Sequence, residues 1–177
     1  MKKIKKVLYR YATLCYYVRN GVKLHNIKNW SARRFLERRE WMLGIVVCTH
    51  SDFAEGIRNA LEMIVGKQEN FDVVCFREGE DMLELSERIK AITDRYEEAG
   101  EKYVVCADLF GATPFNASAA ALAAFDTSVI TGVNLPLLLQ LATEREFCED
   151  YDEFLESALA GAKDNMKVVR MKEMFSE

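Results

Sequence analysis

From residue 43 to residue 131, short apolar runs alternate with segments of helical spacing, and that alternation admits few architectures. Residues 43–48 (LGIVVC) form a continuous apolar run, as expected of a strand buried on both faces. Asp52 and Glu55 then stand three apart as a capping box. Ile57, Leu61, Ile64 and Val65 follow at helical spacing, and Gly66 stops the helix. Phe71–Phe76 (FDVVCF) reads as the second strand. Leu85, Ile89, Ile92 and Tyr96 mark the second helix, which Gly100 ends. Tyr103–Ala107 (YVVCA) is a third buried strand, the Ala-rich stretch 115–125 a helix, and Ser128–Thr131 a short fourth strand. Residues 137–143 and 151–160 read as helices, and 167–171 (KVVRM) as a late strand. The expected fold is α/β: a doubly wound, mostly parallel four-stranded sheet with helices on both faces. The late strand has no crossover of its own, so it is expected at an edge, antiparallel or donated to a partner chain.

Charge divides the sequence in two. Residues 1–40 hold 12 Lys+Arg against 2 acids, whereas residues 41–177 hold 12 against 26. One physical unit rarely segregates charge so sharply, so the expected organisation is a basic extension, residues 1–41, and one domain, residues 42–177. The basic segment admits three readings: an arm for nucleic acid or anionic lipid, an organelle transit peptide, or a translated leader. The leader reading is preferred. Glu37-Arg38-Arg39-Glu40-Trp41-Met42 can be encoded with AGG-AGG at the two arginines, a ribosome-binding sequence two codons ahead of Met42. Met42 is then the expected native start, and the nucleic-acid reading, which depends wholly on residues 1–41, goes with the arm.

At 50% hydrophobic with only 9 Gly and 2 Pro, the chain is outside the disordered and low-complexity classes. No apolar run approaches the roughly 20 residues of a membrane-spanning helix. Cys15, Cys48, Cys75, Cys106 and Cys148 form no CxxC pair and have no histidine at ligand spacing. The disulfide and zinc readings are therefore both poor, and a reducing cytoplasm is the expected compartment.

In a doubly wound sheet ligands sit beyond the carboxyl ends of the strands, which directs attention to the loops after Cys48, Ala107 and Thr131. The first holds Thr49-His50-Ser51-Asp52, with the only histidine of residues 42–177. The second is Asp108-Leu109-Phe110-Gly111-Ala112-Thr113-Pro114. Here Thr113 is expected as an N-cap, Pro114 as a first helical residue, and the small Gly111 and Ala112 as a turn that frees N–H groups. A helix start of this kind suits phosphate. Asp108 leaves its strand at the same edge, so its carboxylate can fix the tautomer of His50 and leave the other ring nitrogen as nucleophile. In the third loop, Gly132 allows a turn and Asn134 is expected mainly to cap the helix opened by Pro136. A lone histidine, a turn aspartate or a helix start is separately commonplace, but the three together suit phosphoryl transfer through a phosphohistidine. No Walker A lysine, GxGxxG motif or metal-binding carboxylate cluster is present in the sequence. No cofactor is expected, and the phosphoryl group is expected from another protein.

Three stretches carry a resemblance. GIVVCTHSDFAEGI, DLFGATPFNAS and ITGVNLPLLLQLATERE, in this order, resemble the IIA domain of the mannose/fructose/sorbose family of the bacterial sugar phosphotransferase system. The resemblance implies a homodimer that exchanges its C-terminal strand. It also implies a cytoplasmic phosphoryl carrier, peripheral to a membrane EIIC/EIID complex, that accepts phosphate from the phosphocarrier HPr on His50 and gives it to an EIIB component. Nε2 would carry the phosphate, Asp108 would bond to Nδ1, and Gly111, Ala112 and Thr113 would hold the phosphoryl oxygens. The acidic balance of residues 41–177 fits a basic carrier face. Two positions depart from the family pattern: Ser51 stands where Gly is frequent, and Ala112 where a second Gly is common. No IIB pattern follows in the sequence, so a single-domain IIA component is expected. The alternatives are a IIA-like phosphoryl donor subunit for dihydroxyacetone kinase and a non-catalytic anion-sensing module.

Overall fold

A computed structural model describes residues 42–148 and 150–171. The readings attached to residues 1–41 lie outside the described residues. The sheet has four strands: β1 (Gly44–His50), β2 (Phe71–Phe76), β3 (Tyr103–Ala107) and β4 (Ser128–Thr131). All three pairings are parallel, in the order β2-β1-β3-β4. The chain therefore winds outward from β1 to β2 on one side, then crosses back to build β3 and β4 on the other. The direction reverses between β1 and β3, and their carboxyl ends flank the crevice that such a reversal opens.

Among the described residues five helices accompany the sheet: α1 (Phe53–Val65), α2 (Met82–Ala99), α3 (Thr113–Leu122), α4 (Leu135–Glu144) and α5 (Tyr151–Asp164). On one face Val46, Cys48, Val74 and Val105 pack with Leu85 and Ile89 of α2 and Ala117 and Ala121 of α3. Successive strand residues point to opposite faces, so Ile45 and Val47 turn to the other side, where α1 lies over β1 and β2. There α1 packs on α4, and α4 on α5. The small side chains of α3 let it lie close against its neighbours. No helix among the described residues is long and apolar enough to cross a membrane.

β2, β3 and β4 span the residues expected of them, while other boundaries move. β1 runs two residues further than the apolar run, because Thr49 and His50 pair in register with Cys75 and Phe76. His50 is thus the last residue of a strand. α3 starts at Thr113 and α5 continues to Asp164. The expected strand at 167–171 is not formed within this one chain. Extended backbone is held by pairing with a neighbour, and this segment pairs with none among the described residues; Val168 is 88% exposed.

Opposite the crevice, beneath the amino ends of β1 and β2, Arg145 is buried although it stands in a short 3-10 turn after α4. Its guanidinium donates to the main-chain carbonyls of Leu43 (2.9 Å), Glu69 (2.6 Å) and Asn70 (3.2 Å), and to Oε1 of Gln68 (3.4 Å). Burial lowers its pKa from the ordinary arginine value. Nothing in the periodicity of the sequence marks this arginine as internal.

Candidate functional site

His50 and Asp108 meet at the switch point. His50 Nδ1 lies 2.8 Å from Asp108 Oδ2, and the His50 amide donates to the same oxygen at 2.9 Å. The other oxygen, Oδ1, accepts from the Leu109 amide at 2.9 Å. Parallel pairing of β1 with β3 sets Cys48 opposite Ala107, so the residues that follow on each strand emerge side by side. Burial pushes the Asp108 carboxyl up, but the bonds from the His50 amide and ring, the charge of protonated His50 and the Leu109 amide outweigh it. The net result is a carboxyl below its ordinary value. Asp108 is largely covered and His50 is 44% exposed, so the pair is anchored on one side and open to solvent on the other. With Nδ1–H committed to the carboxylate, Nε2 is the nitrogen left with a free lone pair. The Phe76 ring meets the imidazole edge-on, centroids 5.9 Å apart, and supports it from β2.

The loop after His50 bends sharply. Ser51 sits at φ +49°, and its amide donates to the Phe76 carbonyl at 2.7 Å. The glycine frequent in the family at this place would adopt that angle without strain; a serine costs about 1 kcal/mol there. Ser51→Gly is accordingly expected to raise stability by about 0.5–1 kcal/mol, seen as a melting temperature about 2–4 °C higher. A lower melting temperature would show that the serine side chain contributes more than its backbone angle costs.

The second loop turns at Gly111, φ +77°. Ala112 follows at φ −82°, an angle comfortable for any residue, so the departure from Gly-Gly carries no backbone strain. Ala112, not Thr113, is the N-cap; Thr113 is the first helical residue and Pro114 the second. Ala112 is the extended residue, at ψ 174°, so the helix begins at Thr113, one residue earlier than expected, and no side-chain oxygen caps its first turn. Asn116 instead donates to the Gly111 carbonyl at 2.9 Å and ties the turn to the helix. The third loop braces the second: Gly132 N–H donates to the Asp108 carbonyl at 3.2 Å and Val133 N–H to that of Ala107 at 3.1 Å. Asn134 caps α4 as expected, accepting from the Leu137 amide at 2.9 Å.

Asp52 does not close the expected capping box. Its carboxylate is diverted to Arg77, whose Nε and Nη2 lie 3.2 and 2.7 Å from Oδ1. Arg77 immediately follows β2, whose carboxyl end lies beside that of β1 only because of the strand order. Local spacing carries no sign of that adjacency, so nothing in the sequence marks this loop as part of the site's surroundings. Asp52, Glu55 and Cys75 also bring ligand atoms within 4.8 Å of one another, but Arg77 already supplies the cation there, and the set carries no metal assignment. Beneath the site, burial and the Asp108 charge push the Cys48 thiol up to about 12, so it offers no competing thiolate at neutral pH.

An imidazole held by a carboxylate at the switch point of a doubly wound sheet, with one ring nitrogen free, defines a class of α/β domain with an exposed histidine–aspartate pair. A family model described as the PTS system fructose IIA component matches residues 44–159. The chain is 35% identical over 107 residues to the fructose-specific EIIA component of Bacillus subtilis, an alignment covering 59% of this chain and 72% of that one. It is 30% identical over 132 residues to the mannose-specific EIIAB component of Escherichia coli K12, covering 73% of this chain and 40% of that two-component protein. The structure of a PTS IIA protein associated with the fucose utilization operon of Streptococcus pneumoniae is 25% identical. It superposes with a TM-score of 0.66 over 77% of this chain and 98% of that one. The chain belongs to the mannose/fructose family of EIIA components of the sugar phosphotransferase system, whose members are phosphotransferases.

Proposed function

We propose that this domain is a phosphoryl carrier that accepts phosphate from HPr on His50 and passes it to an EIIB component. The observation that carries the reading is the 2.8 Å bond between His50 Nδ1 and Asp108 Oδ2 beside the α3 amino end. Neutral His50 holds its proton on Nδ1, and the Nε2 lone pair attacks phosphorus. The new P–Nε2 bond forms as the P–N bond to the HPr histidine breaks, and the electron pair of that bond returns to the HPr imidazole. The positive charge that develops on the His50 ring is met by Asp108, while the first amides of α3 and the Thr113 hydroxyl face the phosphoryl oxygens. Gly111, Ala112 and Thr113 are the proposed phosphate-binding residues. Transfer to EIIB reverses the same steps, and sugar is phosphorylated as it enters through the EIIC/EIID complex, which places the domain in the cytoplasm at the membrane's edge.

Intact mass after incubation with phosphoenolpyruvate, enzyme I and HPr tests the reading. One acid-labile phosphate on the wild type and none on His50→Ala is expected. No adduct on a folded wild type would favour the anion-sensing alternative.

We further propose that residues 167–171 pair with a second copy of the chain. Support comes from the exposed Met166, Val168, Val169 and Met171, an apolar segment that a lone chain leaves in water. Truncation after Asn165 is expected to convert a dimer to a monomer in light scattering. An unchanged mass ratio would place the interface elsewhere.

A further inference from the structure

Two carboxylates follow the proposed phosphoryl acceptor in sequence, at the start of α1. Asp52 follows His50 by two residues, so their Cα atoms are within about 7 Å. Glu55 lies one helical turn further on. Both belong to the exposed mouth of α1, where a phosphoryl group on His50 would add roughly two negative charges. Arg77 lies between them: its Nη2 is 2.7 Å from Asp52 Oδ1 and 3.7 Å from Glu55 Oε1. The arginine is itself held in place. Its amide donates to Glu80 Oε2 at 2.7 Å, and the same oxygen accepts from Arg88 Nη2 at 2.9 Å, which also donates to the Cys75 carbonyl. A chain of alternating charge thus runs from α1 through the loop after β2 to α2, and it passes the edge of the site. Asp52 forgoes the capping bond its position would allow in order to join it.

We propose that Arg77 is a positioning residue for phosphoryl transfer: it holds Asp52 and Glu55 away from the phosphoryl position and cancels their repulsion of the incoming group. The inference rests on the phosphoryl-carrier reading. Charge compensation and a mere mechanical clamp predict different double-mutant behaviour. If compensation is the role, Arg77→Met leaves naked carboxylates and slows the reaction, whereas removing the carboxylate as well restores it. If the role is a clamp, either partner's loss breaks it equally.

The experiment measures His50 phosphorylation rates from phosphoenolpyruvate, enzyme I and HPr for wild type, Arg77→Met, Asp52→Asn and the double variant, at low and at high salt. Thermal unfolding establishes that each variant is folded. Arg77→Met is expected to lower the turnover with HPr by about three- to tenfold at low salt, with the deficit shrinking at about 0.5 M salt. Asp52→Asn is expected to stay within about twofold of wild type, and the double variant to recover most of the loss. An Arg77→Met rate equal to wild type overturns the inference while the carrier reading stands. So does a pattern in which Asp52→Asn and the double variant are both as slow as Arg77→Met. A wild type that takes up no phosphate overturns the inference and the carrier reading together.

Discussion

Asp108→Asn is expected to slow phosphoryl uptake on His50 by about 10²–10⁴-fold while the domain stays folded. The reason is a count of donors. Three N–H groups converge on the Asp108 carboxylate: the His50 amide and ring on Oδ2, and the Leu109 amide on Oδ1. An asparagine has one acceptor oxygen, so its NH₂ must face either the Leu109 amide or the two His50 groups. In the second case it favours the ring tautomer that blocks Nε2. Charge is lost as well, so the imidazolium that forms on phosphorylation has no counterion. The stability cost should be about 1–2 kcal/mol, because the site is only partly buried. Single-turnover phosphorylation against denaturant unfolding separates the two effects, and a loss below tenfold would remove Asp108 from the chemistry. The depressed carboxyl also fixes the sign of the acid response. Its folded-state value lies below the ordinary one, so its stabilising contribution is complete above the usual carboxylate range and is lost as pH falls through the depressed value. Asp108→Asn should therefore flatten part of the acid limb of the stability curve.

Arg145→Met should be the more damaging change to the fold, at about 3–5 kcal/mol out of a total that for most domains is about 5–15. Methionine fills much of the same space but donates nothing. The carbonyls of Leu43, Glu69 and Asn70 would lose the guanidinium that gathers them. Those carbonyls lie where β1 and β2 begin, so the loss loosens the strand that carries His50 at its far end. Urea unfolding should show a lower midpoint at an unchanged slope. Arg145→Lys keeps the charge but cannot span carbonyls from two segments, so an intermediate loss is expected. A change under about 1 kcal/mol for the methionine variant would mean that water replaces the guanidinium freely.

Much of this protein could be read from local pattern. Apolar runs located β2, β3 and β4 residue for residue, Gly100 marked the end of α2, and strand–helix alternation required a parallel sheet. That His50 and Asp108 stand at one edge of the sheet was legible too, because the carboxyl ends of parallel strands share an edge; their contact required β1 and β3 to be neighbours. Such features depend on neighbours a few residues apart, and periodicity reports those directly. The order β2-β1-β3-β4 was beyond its reach, and with it went the partners of every long side chain that crosses between strands. Asp52 met the local rule for a helix cap, yet Arg77 lay within reach once β2 was placed beside β1, and a cation outcompeted the helix amide. Arg145 has the pattern of a surface residue and is buried because three carbonyl groups, brought together only by the packed sheet, need a donor. Residues 167–171 have the composition of a strand and no strand partner among the described residues, and a strand exists only where another backbone completes it.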